Sequence, residues 1–319
     1  METHDVDRTP VTVIGLGHMG RALADTLLRE GYPTTVWNRS PAKADDLVAR
    51  GARLAPSVAD AVAAGALVVV CVTDYAAVRE LLDPSAGTLA GRTLVNVTTG
   101  TSQEARETAA WAAGHGADYL DGAILGAPTA IGTPEGVILY SGPPAAFDRH
   151  ESALRSLGGG TAYLGADQGL SALYDASMLG LMWGILNGFL QGAALLDTAG
   201  VSAGTFAPVA RQGLATVAEW LAGYAAQIDD GRYPVLDASI DTHLASMGHL
   251  VHESESLGVD AAFPRLVRAV AERAVADGHG GSGYAAVIEQ LRAPAGTRAW
   301  SAIGPGAGGI RGARSGIGP

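Results

Sequence analysis

The feature that most constrains this chain lies at residues 11–20. A short β-branched run, Val11-Thr12-Val13-Ile14, leads directly into Gly15-Leu16-Gly17-His18-Met19-Gly20, which opens an Ala/Leu-rich helical stretch. Strand, G-x-G-x-x-G and helix in that order mark a dinucleotide-binding turn. Gly15 permits the tight turn, Gly17 lets backbone approach a pyrophosphate, and Gly20 lets helix and strand pack closely. The helix N-terminus offers unpaired N–H groups to the anion. In a chain with 44 glycines the spacing alone carries little weight; the strand before it and the helix after it give it meaning.

The next strand, Thr34-Thr35-Val36-Trp37, ends where such a fold contacts the adenosine ribose. An acidic residue there would bond a 2′-hydroxyl and repel a 2′-phosphate, but this chain has Asn38-Arg39-Ser40 and then Lys43. A guanidinium, a hydroxyl, an amide and a nearby ammonium form a phosphate-accepting set, so NADPH is expected over NADH. Ordinary solvated charges are the plainer account of Arg39 and Lys43. Lys43 is also the only lysine in the chain, which limits the acid/base groups available.

Up to about residue 165, β-branched runs at 11–14, 34–37, 67–72, 93–97 and 137–140 alternate with Ala-rich helical stretches. That alternation predicts a mostly parallel, doubly wound α/β sheet, with ligands outside the carboxyl ends of its strands. The loops that fall there, Thr73-Asp74-Tyr75 and Asn96 to Thr101, add Val72, Thr73, Asn96 and Thr98 to the expected cofactor residues. From 168 to 291 the pattern is helical. The expected division is a flexible start over 1–10, a cofactor domain over 11–165, an interdomain helix over 166–197, a helical dimerisation and substrate domain over 198–292, and a Gly/Pro-rich, disordered tail over 293–319.

The GLGxMG form of the turn, joined to a helical second half, resembles the β-hydroxyacid dehydrogenase superfamily, whose members use an interdomain-helix lysine as acid/base. No lysine is available here. The superfamily's D-x-P-V-S-G-G substrate loop appears as Asp121-Gly122-Ala123-Ile124-Leu125-Gly126-Ala127, without the serine that would bind a small acid. One branch matches these departures as well: the NADPH-dependent imine reductases and reductive aminases. Gly15 to Gly20, Thr26, Gly31, Val36-Trp37-Asn38-Arg39-Ser40 and Lys43 meet that branch's cofactor signature. Gly165, Asp167, Gly169, Ser171, Asp175, Ser177 and Leu179 meet its interdomain signature, and Asp121 to Pro128 its D-G-A-I-x-x-x-P loop.

The resemblance, spanning roughly residues 11 to 290, implies an intertwined homodimer that reduces cyclic imines or iminium ions. Asp175 would be the proton donor or an electrostatic anchor for the iminium. It implies a substrate pocket containing Leu125, Leu179, Met182 and Trp183. Trp183 stands where reductive aminases often carry tyrosine, which favours preformed imines over reductive amination. An Asp at position 175 accompanies (R)-selective reduction within the family.

Asp175 precedes 21 consecutive uncharged residues, 176–196, with small residues at Ala176, Gly180, Gly184, Gly188 and Gly192. By length this helix could span a bilayer. Asn187, Gln191 and acidic flanks argue instead for a helix buried all round, between domains and against a partner. A carboxylate near its start is costly unless it is paired, faces a cleft or has a function; a residue placed by the helix dipole is the bland alternative. A net charge of −11 argues against nucleic acid or an anionic membrane as partner. The polar start and the single Cys71, read as a buried strand residue, suggest a cytoplasmic protein. A metal cluster around Asp241, His243, His249, His252 and Glu253 is conceivable, but no metal is expected; those residues fit the polar side of a substrate pocket better. Other readings that remain open are a carbonyl reductase for non-acid substrates on the same scaffold, and a non-catalytic NADP-binding sensor.

Overall fold

A computed structural model describes residues 8–292. The expected tail at 293–319 and most of the expected flexible start fall outside these residues. Contacts divide the chain into two compact units between Gly184 and Ile185. The first unit holds eight strands: β1 (Val11–Ile14), β2 (Thr34–Trp37), β3 (Arg53–Leu54), β4 (Leu67–Val70), β5 (Thr93–Asn96), β6 (Asp118–Ile124), β7 (Ile138–Ser141) and β8 (Ala162–Tyr163). Between them lie α1 (His18–Arg29), α2 (Asp45–Ala49), α3 (Val58–Ala64), α4 (Tyr75–Leu82), α5 (Ser102–Gly114) and α6 (Pro144–Ser156).

The strand order is β3-β2-β1-β4-β5-β6-β7-β8, parallel throughout except where β7 runs antiparallel to β6. Strand order reverses between β1 and β4, the position where doubly wound sheets bind ligands. Nearly every residue of β1, β2, β4 and β5 is buried, as expected for strands covered on both faces by helices. One face packs Val11, Val13, Val69 and Val95 against Leu23, Leu27 and Phe147; the other packs Ile14, Val68, Val70 and Leu94 against Val62, Val78 and Leu82.

Sequence periodicity places β1 and β2 correctly but runs two residues too far at β4. Cys71 therefore lies beyond the strand, half-buried, donating its backbone N–H to the Ile14 carbonyl at 2.9 Å. Strand β5 ends at Asn96, and β7 is shifted one residue from the expected 137–140. Strands β3, β6 and β8 were not anticipated. In β6, Asp121 and Gly122 interrupt any β-branched run, and cross-strand pairing on both sides provides the order that propensity does not.

The long helix α7 (Leu170–Asp197) crosses the division between the units and is followed by α8 (Ala203–Asp230), α9 (Ile240–Ser256), α10 (Ala262–Ala274) and α11 (Ile288–Arg292). The second unit has a small core of Ile240, Ala271, Ala274, Ala286 and Val287. Phe189 stacks on Phe206 at 5.3 Å, and Gln191 donates to Ser254 Oγ at 3.1 Å. Helix α7 is long and apolar enough to cross a membrane. The expectation that it is buried all round does not hold for the single chain: after Asp175 most of its side chains are exposed, with Trp183 at 57% and Leu190 at 61%.

Candidate active site

At the carboxyl edge of the sheet, Trp37, Ile14, Val70, Asn96, Asp121 and Ser141 form one row across β2, β1, β4, β5, β6 and β7. The glycine turn leaves β1 just beyond it. Gly15 has φ 94°, and a Cβ on it would lie 2.1 Å from the Cys71 carbonyl oxygen. A Cβ on Gly20 would lie 1.9 Å from the Gly15 carbonyl oxygen. These two glycines are required by protein packing. Gly17 differs: a Cβ there meets nothing within 4 Å, so the space over it is open.

Gly17 caps α1 with no side-chain hydrogen bond, and the first turn carries no acidic residue. The uncapped N–H groups and the open space suit a pyrophosphate. Leu16 is buried beneath the turn, Met19 packs against the core, and His18 is exposed.

Asn38 accepts from Leu16 N–H at 2.9 Å and donates to the Ser40 carbonyl at 3.0 Å. Its amide thus ties the second loop to the glycine turn. Arg39, Ser40 and Lys43 are exposed beyond it, two cations and a hydroxyl on one loop. On this side the chain fits an NADP-type dinucleotide: uncapped helix, unfilled glycine and adjacent cations.

On the other side of the switch point, Val72 N–H donates to Thr98 Oγ1 at 3.2 Å, and Thr98 N–H to Asn96 Oδ1 at 3.1 Å. Thr73 is exposed. Asn96 is fully buried and gives its Nδ2 to Tyr119 Oη at 3.2 Å. Its Oδ1 and Nδ2 thus serve the Thr98 backbone and the strand neighbour Tyr119. The Cys71 thiol is pushed up to about 11 by burial, which keeps it protonated and unreactive.

The start of α7 is held by the residues of its sequence signature. Asp167 takes a two-pronged contact from Arg106 Nε and Nη2, both at 2.8 Å, and accepts Gly169 N–H at 3.0 Å. A Cβ on Gly169 would meet Ser102 O at 2.7 Å, so helix and α5 approach too closely for any side chain. Ser171 N–H donates to Ser141 Oγ at 3.0 Å, and Ser171 Oγ donates to Asp121 Oδ1 at 2.8 Å. Ser177 bonds back to the Leu173 carbonyl.

One turn after Ser171, Asp175 is 9% exposed and hydrogen-bonds Thr99. Burial holds its carboxyl above the usual range, and the Thr99 contact offsets part of that rise. Asp121, 1% exposed, also receives Tyr75 Oη at 2.5 Å and Tyr119 Oη at 2.6 Å on Oδ2. Burial pushes it up to about 6 against the lowering effect of the three hydroxyls, and the Asp175 charge adds to the rise. Sequence reading placed Tyr75 in a ligand loop but missed its bond to Asp121, and missed Tyr119 entirely. The signal was present: Tyr119 and Asp121 alternate on one face of a strand.

Of the expected pocket residues, Leu125 is half-buried at the end of β6 with its N–H on the Val137 carbonyl. Leu179 is half-buried on α7, while Met182 and Trp183 are exposed in the single chain. His249 and His252 are exposed on α9, and the His243 ring lies tilted against Tyr284 with centroids 4.8 Å apart. Among the described residues no group of three His, Cys, Asp or Glu side chains is placed to hold a metal ion.

A doubly wound sheet with an uncapped glycine turn, followed by a buried carboxylate on a long helix, fits a dinucleotide-dependent oxidoreductase. Residues 10–165 match the NAD-binding domain of 6-phosphogluconate dehydrogenase, and residues 167–293 match the C-terminal domain of NADPH-dependent reductive aminase-like proteins. The chain is 36% identical over 286 residues to an NADPH-dependent reductive aminase of Aspergillus oryzae, covering 88% of this chain and 97% of that one. A reductive aminase from Aspergillus terreus, solved with NADPH4, cyclohexanone and allyl amine, superposes with a TM-score of 0.84 at 38% identity, covering 89% of this chain and 99% of that one. An imine reductase from Myxococcus stipitatus, solved with NADP+, gives 0.84 at 36%, covering 89% and 100%. The chain belongs to the imine reductase and reductive aminase family, NADPH-dependent oxidoreductases with a Rossmann-type cofactor domain and a helical C-terminal domain.

Proposed function

We propose that this enzyme reduces cyclic imines or iminium ions to amines with NADPH, with Asp175 as the acid or the iminium anchor. The observation that carries this reading is the buried carboxylate at the start of α7, in a chain whose single lysine lies on the cofactor loop. NADPH, when bound, supplies a hydride to the carbon of the C=N bond. The π electrons then pass to nitrogen, which takes the Asp175 proton, leaving a carboxylate that water reprotonates. A neutral imine needs that proton; a preformed iminium needs only the negative charge. At about 4 Å and an effective dielectric near 20, opposite charges attract by roughly 4 kcal/mol, enough to orient a cation in an apolar pocket.

In this reading residues 11–165 serve the cofactor, 166–197 form the interdomain helix and 198–292 the dimerisation and substrate domain. A second copy covers the exposed apolar faces of α7 and α8, where Leu186, Leu190, Val217 and Leu221 lie open in the single chain. The single cysteine, its thiol kept protonated by burial, supports a cytoplasmic setting.

The test is NADPH consumption by purified protein with a small cyclic imine, a ketone, a ketone plus amine, and a hydroxy acid with NADP+ in parallel. The imine should be turned over fastest, and NADPH preferred to NADH by at least about tenfold in kcat/KM, roughly 1.4 kcal/mol. Replacing Arg39 and Lys43 together by neutral residues should erase most of that preference. Faster turnover of a ketone without amine would move the assignment to a carbonyl reductase.

A further inference from the structure

Asp175 projects from α7, whereas its hydrogen-bond partner Thr99 belongs to the turn that follows β5. The hydrogen bonds that fix one against the other form a closed circuit. On the turn side, Thr98 N–H donates to Asn96 Oδ1 at 3.1 Å, Asn96 Nδ2 donates to Tyr119 Oη at 3.2 Å, and Tyr119 Oη donates to Asp121 Oδ2 at 2.6 Å. On the helix side, Ser171 Oγ donates to Asp121 Oδ1 at 2.8 Å, and Ser171 precedes Asp175 by about one turn on the same face of α7.

Asn96, Tyr119, Asp121 and Ser171 are all buried, so water does not compete for these bonds. Burial, and then the Asp121 charge, hold the Tyr119 hydroxyl well above its usual range, which keeps it a donor. Two further links enter the circuit. Tyr75 Oη, at the start of α4, also donates to Asp121 Oδ2, with its ring packed on Ala105 and Ala172. Val72 N–H donates to Thr98 Oγ1 at 3.2 Å and brings in the loop after β4. Neither Tyr119 nor Asp121 has a part in the hydride or proton step, yet the two sides of the Asp175–Thr99 contact meet at them.

We propose that Tyr119 and Asp121 are positioning residues: with Asn96 and Ser171 they close a hydrogen-bonded frame that fixes Asp175 against Thr99 and against the loops that take the cofactor. The frame acts through bond geometry, and a carboxyl displaced by about 1 Å from its working position can lose on the order of a hundredfold in rate. The proposal rests on the reading of Asp175 as the reacting carboxyl.

Tyr119→Phe and Ser171→Ala each delete one hydroxyl and cut the circuit on opposite sides of Asp121. In crystals of the NADP+ complex of either variant, the Asp175–Thr99 contact should be lost. With saturating NADPH and a cyclic imine, kcat should fall at least about tenfold, while NADPH affinity by fluorescence titration stays within about twofold. The same changes made in Asp175→Asn should cost less than about twofold, because no reacting carboxyl is left to place. A merely structural role would cost an equal factor in both backgrounds. If one variant does not fold, the other carries the test from the opposite side. An Asp175–Thr99 contact kept in a folded variant, an unchanged kcat, or equal costs in the two backgrounds would overturn the proposal. A near-normal rate in Asp175→Asn alone would instead defeat the reading of Asp175, and the crystal contact would still decide whether the frame places that side chain.

Discussion

At the scale of single residues, burial holds the carboxyls of both Asp121 and Asp175 above the ordinary range. Folded protein holds a proton on Asp121 up to about pH 6, whereas the ordinary carboxyl value is 3.8. Ionising it therefore costs the fold about 3 kcal/mol as pH rises from about 4 to 6, after which the cost is constant. Asp121→Asn removes this cost, so its urea midpoint should gain on the unmodified protein across that interval. Parallel curves for the two proteins would mean that Asp121 ionises without penalty. The burial of Asp121 is not legible in the sequence, where Asp121 stands among residues of a binding-loop signature. Its hydroxyl partners come from α4, β6 and α7, up to 50 positions apart. Asp175 stands out in the sequence through the interdomain signature of the resemblance; a lone carboxylate before an apolar run would equally suit a residue placed by the helix dipole.

At the scale of elements, the glycine turn separates packing from binding. Gly17 has φ −66° and open space where a Cβ would go, so Gly17→Ala should melt with the unmodified protein yet bind NADPH at least about tenfold more weakly, a loss of roughly 1.4 kcal/mol. Gly20→Ala forces α1 off Gly15 and should lower stability by about 1–3 kcal/mol, with binding lost as well. Thermal melts and fluorescence titrations distinguish these outcomes, and equal effects of both changes would remove the ligand from the account of Gly17. Strands β1 and β2 were readable because fully covered parallel strands are continuous β-branched runs. The two-residue strands β3 and β8, and β6 with its Asp and Gly, take their order from neighbours. The phosphate-side loop was readable in composition, but the tie of Asn38 to Leu16 and Ser40 depends on backbone geometry that composition does not encode.

For the whole molecule, α7 leaves an apolar surface exposed in the single chain, which the proposed second copy would cover. Cβ atoms built on Gly180, Gly184 and Gly188 meet nothing within 4 Å of the single chain. Gly184→Leu is therefore tolerated by the chain itself, and any effect on assembly reports a partner at that face. The protein should run as a dimer in light scattering without detergent, and Gly184→Leu should reduce dimer and activity together. A fully active monomer at working concentration would contradict the homodimer. The central claim, that Asp175 makes this molecule an imine reductase, is tested most directly by kcat/KM on one cyclic imine for the unmodified enzyme and Asp175→Asn, with NADPH affinity measured separately. A fall of at least about a hundredfold, some 3 kcal/mol, with cofactor affinity unchanged is the predicted result. Near-normal rates in Asp175→Asn would contradict the claim and reduce Asp175 to a residue that favours the helix end.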